Sequence, residues 1–249
     1  MRCVALGCFI VLIGAAFAPS ARAADAWGQP LVVLTSAARR DTDLVFALYA
    51  SGRVLSVAPG SNDYSHYRLA TLTDSERRAL LGGLPLAAVG HMHPPRRLGQ
   101  DGSSECIRVF EHGRERHDCL WGLMWDVDGL ATKPAPPSDM LAIWRRLTRF
   151  DSSSWQPWAP EQLHVLATQV RGDSVCPRQT PLPWPPRWPH PAAKIPQLHF
   201  RIVPSELPDL RWPDRAPACA PLVGDATDPR VIFVTNAYPH DELWLPAGD

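Results

Sequence analysis

Cys106–Leu120 reads CIRVFEHGRERHDCL, and the pair at its centre, His112-Gly113, decides how the chain around it folds. A two-residue hairpin loop of type I′ needs positive φ at both positions. Gly113 adopts this freely and His tolerates it better than most side chains. The register then follows: Glu111 faces Arg114, Phe110 faces Glu115, and Cys106 faces Cys119. Hydrogen-bonded and non-hydrogen-bonded pairs alternate outward from the turn, which makes Cys106:Cys119 a close, non-hydrogen-bonded pair with Cα atoms about 4.5 Å apart. That spacing lies at the short end of what a disulfide accepts, so a cross-strand bridge in an oxidising compartment is expected.

Upstream of the hairpin, Leu31–Thr35 reads as a strand, and Leu44–Ala50 with Arg53–Val57 as a hairpin around Ser51-Gly52. Strict alternation puts Leu44, Phe46 and Leu48 on one face, joined there by Leu55 and Val57. Tyr67–Leu72 is a third strand, and Thr73-Asp74-Ser75-Glu76 is a capping box. The helix it opens carries Leu80, Leu81 and Leu84 and stops at Gly82-Gly83 before Pro85. Downstream, a Pro-rich spacer (130–139) leads to Ser138, expected to cap a second helix. Its Met140, Ile143, Trp144 and Leu147 fall at i, i+3, i+4 and i+7.

The stretches FALYASGRVLSV, YRLATLTDSERRALLGGL and SSECIRVFEHGRERHDCLWGL, in that order, resemble an uncharacterised domain of exported bacterial proteins. There too a Gly-turn hairpin and a strand lead into a capping-box helix, followed by a second Gly-turn hairpin. The resemblance spans about Leu31–Ser152 and implies fold and export but no catalytic group; Cys106 and Cys119 are additions to its pattern.

Beyond Asp151 the composition shifts. Leu163–Val170, Leu198–Val203 and Arg230–Thr235 are strand candidates, with a helical turn at Ser205–Leu207. Between the first two lies Val175–Pro196, containing PLPWPPRWPHP, which reads as an extended polyproline II loop because each proline fixes φ and removes a donor. The expected class is α+β: an antiparallel sheet of hairpins with two packed helices over residues 24–152, then a Pro/Trp-rich, loop-rich part over 153–249. The C-terminal strands look too isolated to form a sheet alone, so that part is expected to pack on the first.

Met1–Ala23 reads as a cleaved signal peptide, with Arg2, the apolar run Val4–Ala18 and the small-x-small site Ala21-Arg22-Ala23. The run of about 15 apolar residues is short of the ~20 a membrane span needs. Cleavage removes Cys3 and Cys8 and leaves Cys106, Cys119, Cys176 and Cys219. If the hairpin pairs the first two, Cys176–Cys219 follows by elimination and closes the Pro/Trp loop. A four-cysteine zinc site lacks the usual Cys-x-x-Cys pairs. Of 25 basic residues cleavage also removes Arg2 and Arg22, leaving 23 against 25 acidic, a net charge of −2. That balance gives no electrostatic footprint for nucleic acid or an anionic membrane. Localisation is expected in the periplasm or medium, with no stable membrane insertion.

No chemical motif stands up to its simpler reading. Gly172-Asp173-Ser174 looks like the nucleophile block of GDS-type esterases, but Ala237 stands where an Asp before His240 is needed. Arg171-Gly172-Asp173 is a chance tripeptide. His91-Met92-His93 lacks a third metal ligand at a telling spacing and reads as a solvated loop; Asp126-Val127-Asp128-Gly129 starts like a calcium loop, but Leu130, Ala131 and Thr132 break the ligand alternation. No catalytic residue, metal site or cofactor is assigned.

Ten tryptophans remain to be explained. The simpler role for Trp155, Trp158, Trp184, Trp188 and Trp212 is packing over prolines. The functional one is a stiffened loop presenting Trp184, Arg187 and Trp188 to a partner. In polyproline II the two rings would be ~12 Å apart and ~120° out of phase, one inward and one outward. The sequence thus points to a non-catalytic envelope binding or interaction protein, its partner an envelope protein or a polysaccharide. The alternatives are a carbohydrate or peptidoglycan binder using exposed Trp, and a secreted hydrolase without a recognisable motif.

Overall fold

His112 (φ 52°) and Gly113 (φ 73°) both adopt the left-handed conformation that the type I′ loop requires, and the first sheet is laid out from that turn. The computed structural model describes residues 26–38, 41–58, 66–94, 103–123, 135–170, 181–190, 195–207, 222–224 and 228–244. The strands flanking the turn are β5 (Ser104–Glu111) and β6 (Arg114–Trp121), in the expected register from Glu111↔Arg114 to Cys106↔Cys119. The two cysteines form a disulfide with Cα atoms 4.1 Å apart. With β1 (Pro30–Ala38), β2 (Asp41–Tyr49), β3 (Arg53–Val57), β4 (Tyr67–Thr71) and β7 (Gln156–Trp158) they make a seven-stranded antiparallel sheet, ordered β6-β5-β1-β2-β3-β4-β7. Residues 1–23, Cys176 and Cys219, Gly172-Asp173-Ser174 and Asp126-Val127-Asp128-Gly129 lie outside the described residues.

Both faces of this sheet are buried, and that corrects the expected alternation. Phe46, Leu48 and Val54 join Val32, Leu34, Ile107, Val109 and Leu120 in one core. Leu44 instead joins Ala47, Tyr49, Val33 and Leu55 in the other, with Val57 packed against it. Leu55 stands opposite Ala47, and Ser56 opposite Phe46, which puts Leu55 and Val57 on the face away from Phe46 and Leu48. For Leu44 the cause is a register shift between Leu34 and Thr35: Leu34 faces Phe46 and Thr35 faces Leu44, so Val45 has no partner across that ladder. One extra residue reverses the period-two alternation beyond it.

The first core is roofed by α1 (Asp74–Gly82) and α2 (Ser138–Thr148). At α1 the capping box forms: Thr73 Oγ1 accepts from Glu76 N at 3.3 Å, and Glu76 accepts from Thr73 N at 2.8 Å. The stripe Met140, Ile143, Trp144 and Leu147 is buried. Ser138 does not cap α2; it is the first helical residue. The cap position belongs to Pro137, whose φ of −54° is already set for a helix and whose carbonyl accepts from Leu141 N at 3.1 Å. The segment after α1 is tied to the hairpin by Arg116, which donates to the carbonyls of Leu86, Ala87 and Val89, and by Asp118, which accepts from Gly90 N.

The C-terminal strands do form a sheet of their own, contrary to expectation. β8 (Leu163–Gln169), β9 (Gln197–Ile202), β10 (Leu222–Val223) and β11 (Arg230–Asn236) are antiparallel in the order β10-β11-β8-β9. They are distant in sequence, so only the long-range pairing of β8 with both β9 and β11 reveals the sheet. The segment after β11 returns to the first sheet. Tyr238 and Trp244 enter its second core; Tyr238 donates to the Tyr67 hydroxyl at 2.7 Å, and Tyr67 to Leu44 O at 2.7 Å. Burial pushes the phenol pKa of both Tyr49 and Tyr238 upward, which keeps them neutral donors. Among the described residues no helix is long and apolar enough to cross a membrane.

Candidate functional site

The second sheet buries Leu163, Val165, Ala167, Ile202, Val223 and Ile232 on one face, and the Trp-Pro segment covers that face. The segment is anchored at one end by Leu182, whose N donates to Leu222 O at 2.9 Å and whose carbonyl accepts from Gly224 N at 2.8 Å. At the other end Trp188 is 2% exposed, stands edge-on to Phe200 at 5.1 Å, and donates through Nε1 to Glu206 O at 3.3 Å. Trp188 is therefore a core residue.

The extended conformation expected for Trp184–Trp188 does not form. Trp188 N donates to Pro185 O at 3.0 Å, closing a turn with Pro186 at its second position, where a fixed φ near −65° is favoured. The chain reverses, and the two indoles meet edge to face at 5.6 Å instead of standing ~12 Å apart. Arg187 is exposed in that turn. Trp184 is half-buried, tilted against Phe200 at 6.4 Å, and its buried Nε1 has no hydrogen-bond partner among the described residues.

Trp184 also lines a cleft of about 520 Å³ together with Pro181, Pro183, His190, Gly224, Asp228 and Arg230. Arg187 is not among the lining residues. The cleft's polar floor is an ion pair with an unusual division of exposure. The Arg230 side chain is 1% exposed and that of Asp228 36%. Arg230 donates through Nε at 3.2 Å and Nη2 at 2.9 Å to Asp228 Oδ2, and through Nη1 at 3.0 Å to Ile195 O; Gln169 Nε2 reaches Asp228 Oδ1 at 3.1 Å. A buried guanidinium held this way is both neutralised and fixed in place. Gly224, at φ +124°, passes so close that a Cβ there would stand 2.5 Å from Asp228 O, so only glycine fits. Sequence reading singled out Trp184 among these residues and did not consider Asp228 or Arg230 beside it. The available signals were the Pro-Pro-Arg turn and the i, i+2 spacing of Asp228 and Arg230 at the start of a strand.

A second polar cluster lies where the two sheets meet. Asp241, 1% exposed, accepts from Arg201 Nη2 at 2.6 Å and Tyr238 N at 2.9 Å, and its Oδ2 lies 2.6 Å from His164 Nε2. A catalytic Asp–His pair needs a hydroxyl or thiol at the other imidazole nitrogen. Among the described residues none is bonded to His164, and Arg201 holds the remaining Asp241 oxygen. The cluster ties β8 and β9 to the C-terminal segment. His91 and His93 are exposed outside any strand, and no group of three metal-ligating side chains occurs among the described residues. No known protein family, characterised protein or solved structure matches the chain.

Proposed function

We propose that the mature chain is an exported, non-catalytic binding protein of the cell envelope, and that its ligand seat is the cleft beside Trp184. The observation carrying this reading is the division of labour between two neighbouring indoles: Trp188 is buried in the core, whereas Trp184 lines the cleft over the Asp228–Arg230 floor. An aromatic wall with a few fixed polar groups is the common make-up of a small-ligand site, and the volume lies within the usual range. Pro181, Pro183 and the 185–188 turn hold the wall in place before binding, which lowers the ordering cost. The leader pattern and the Cys106–Cys119 bridge support export.

The test is capture of bound envelope components after cross-linking in the periplasm, run on the wild type, Trp184→Ala, Trp184→Phe, His190→Ala and Arg187→Ala. His190 is exposed, so its removal spares the fold. Trp184→Ala and His190→Ala are expected to lose the captured component, with Arg187→Ala and Trp184→Phe retaining it. Capture that survives both Trp184→Ala and His190→Ala, or is absent from the wild type, overturns the reading.

A further inference from the structure

We infer that the Trp184 cleft receives a neutral, hydroxyl-bearing ring, that is, a sugar unit of an uncharged saccharide, and not an ionic ligand; this rests on the cleft being the ligand seat. Charge is the first observation. The only carboxylate and the only guanidinium among the described lining residues are paired with each other, and the guanidinium is buried. A cationic ligand drawn to Asp228 meets Arg230 behind it, and an anionic ligand drawn to Arg230 meets Asp228 in front. Neither gains net attraction, whereas a hydroxyl can hydrogen-bond to a partly exposed carboxylate without paying the desolvation cost of a second ion.

Shape and polarity of the walls are the second. Among the lining residues Trp184, Pro181 and Pro183 offer apolar ring surface, and Asp228 and His190 offer polar groups. A pyranose has the same division, with C–H groups on its faces and hydroxyls around its edge. A purely apolar ligand would strand the Asp228 carboxylate away from water, and a group with no apolar face would leave the indole uncovered. Rigidity is the third observation. The Gly224–Asp228 approach, the Leu182 bridge and the hydrogen bonds from Gln169 and Arg230 fix the Asp228 acceptor relative to the indole, as recognition of a ring by face and edge together requires.

Saturation-transfer NMR on the full mature protein tests this with trisaccharides of glucose and of N-acetylglucosamine as neutral probes, and glucuronate and glucosamine as charged ones. At least one neutral trisaccharide is expected to receive saturation at its ring C–H protons, lost in Trp184→Ala and weakened several-fold in His190→Ala. Its Kd should change less than about twofold between about 0.01 M and 0.15 M salt, a range over which screening weakens an ionic contact. Preference for a charged probe, a strong salt dependence, or saturation unaffected by both substitutions overturns the inference. If no neutral probe binds while periplasmic capture still depends on Trp184 and His190, the saccharide is wrong and the cleft remains the binding seat. If capture fails as well, both readings fall.

Discussion

Three residues join β2 to β3 and two join β5 to β6, whereas β8 meets β9 only after the chain has run through 170–196, and meets β11 later still. The seven-stranded sheet is assembled largely from neighbours in sequence, closed by turns whose chemistry is local, and packed on both faces. The four-stranded sheet pays the loop-closure entropy of distant partners before any contact rewards it. It depends on a few anchors: Trp188 over its core, Arg230 on Asp228, and Asp241 on His164 and Arg201. The candidate cleft sits on this second sheet, where rigidity comes from tertiary anchors and not from local propensity.

The strongest way to break this comparison is to remove an anchor. Trp188→Ala should destabilise by about 3–5 kcal/mol, the usual cost of deleting a buried Trp. Native-state hydrogen exchange should show β8, β9 and β11 losing protection well before β1 to β6. Uniform loss across both sheets would mean that they unfold as one unit.

A smaller effect is expected at the first sheet. Cys106→Ala opens a closed loop whose cysteines are 13 residues apart, worth about 3 kcal/mol by chain entropy. Denaturant unfolding should register that loss while the β5–β6 register persists, because the His112-Gly113 turn sets it independently. Peptide mapping of the wild type without reductant should find a Cys176–Cys219 link, and a Cys106–Cys176 or Cys119–Cys219 link would refute the assignment by elimination; in the Cys106→Ala variant Cys119 should be free.

The smallest effect sharpens the contrast without unfolding anything. Hydrogen bonds from the Thr73 side chain and backbone hold the Glu76 carboxyl below its ordinary pKa of 4.5. A carboxyl lowered on folding contributes stability that is complete above its ordinary pKa and is lost as pH falls through the lowered value. Acid titration followed by NMR should therefore shift the Thr73 amide and fray the start of α1 in that acidic window. Thr73→Ala should abolish the step.

The amino-acid sequence by itself determined several features whose energetics close within a few residues. The I′ turn at His112-Gly113 set the Cys106:Cys119 pairing, Thr73 and Glu76 set the start of α1, and Met140, Ile143, Trp144 and Leu147 set the buried face of α2. Tertiary structure decided where that locality ended. The unpaired Val45 moved Leu44 to the opposite core, which alternation cannot register when both faces are buried. At the cleft, Trp184 was legible as a candidate, but Trp188 became core through Phe200 and Glu206, far along the chain. Arg230 pairs with Asp228 two residues before it, but its bond to Ile195 O comes from the meeting of separate segments. Such commitments depend on which distant partner covers a ring or accepts from a buried donor, and that is settled only when the strands pair.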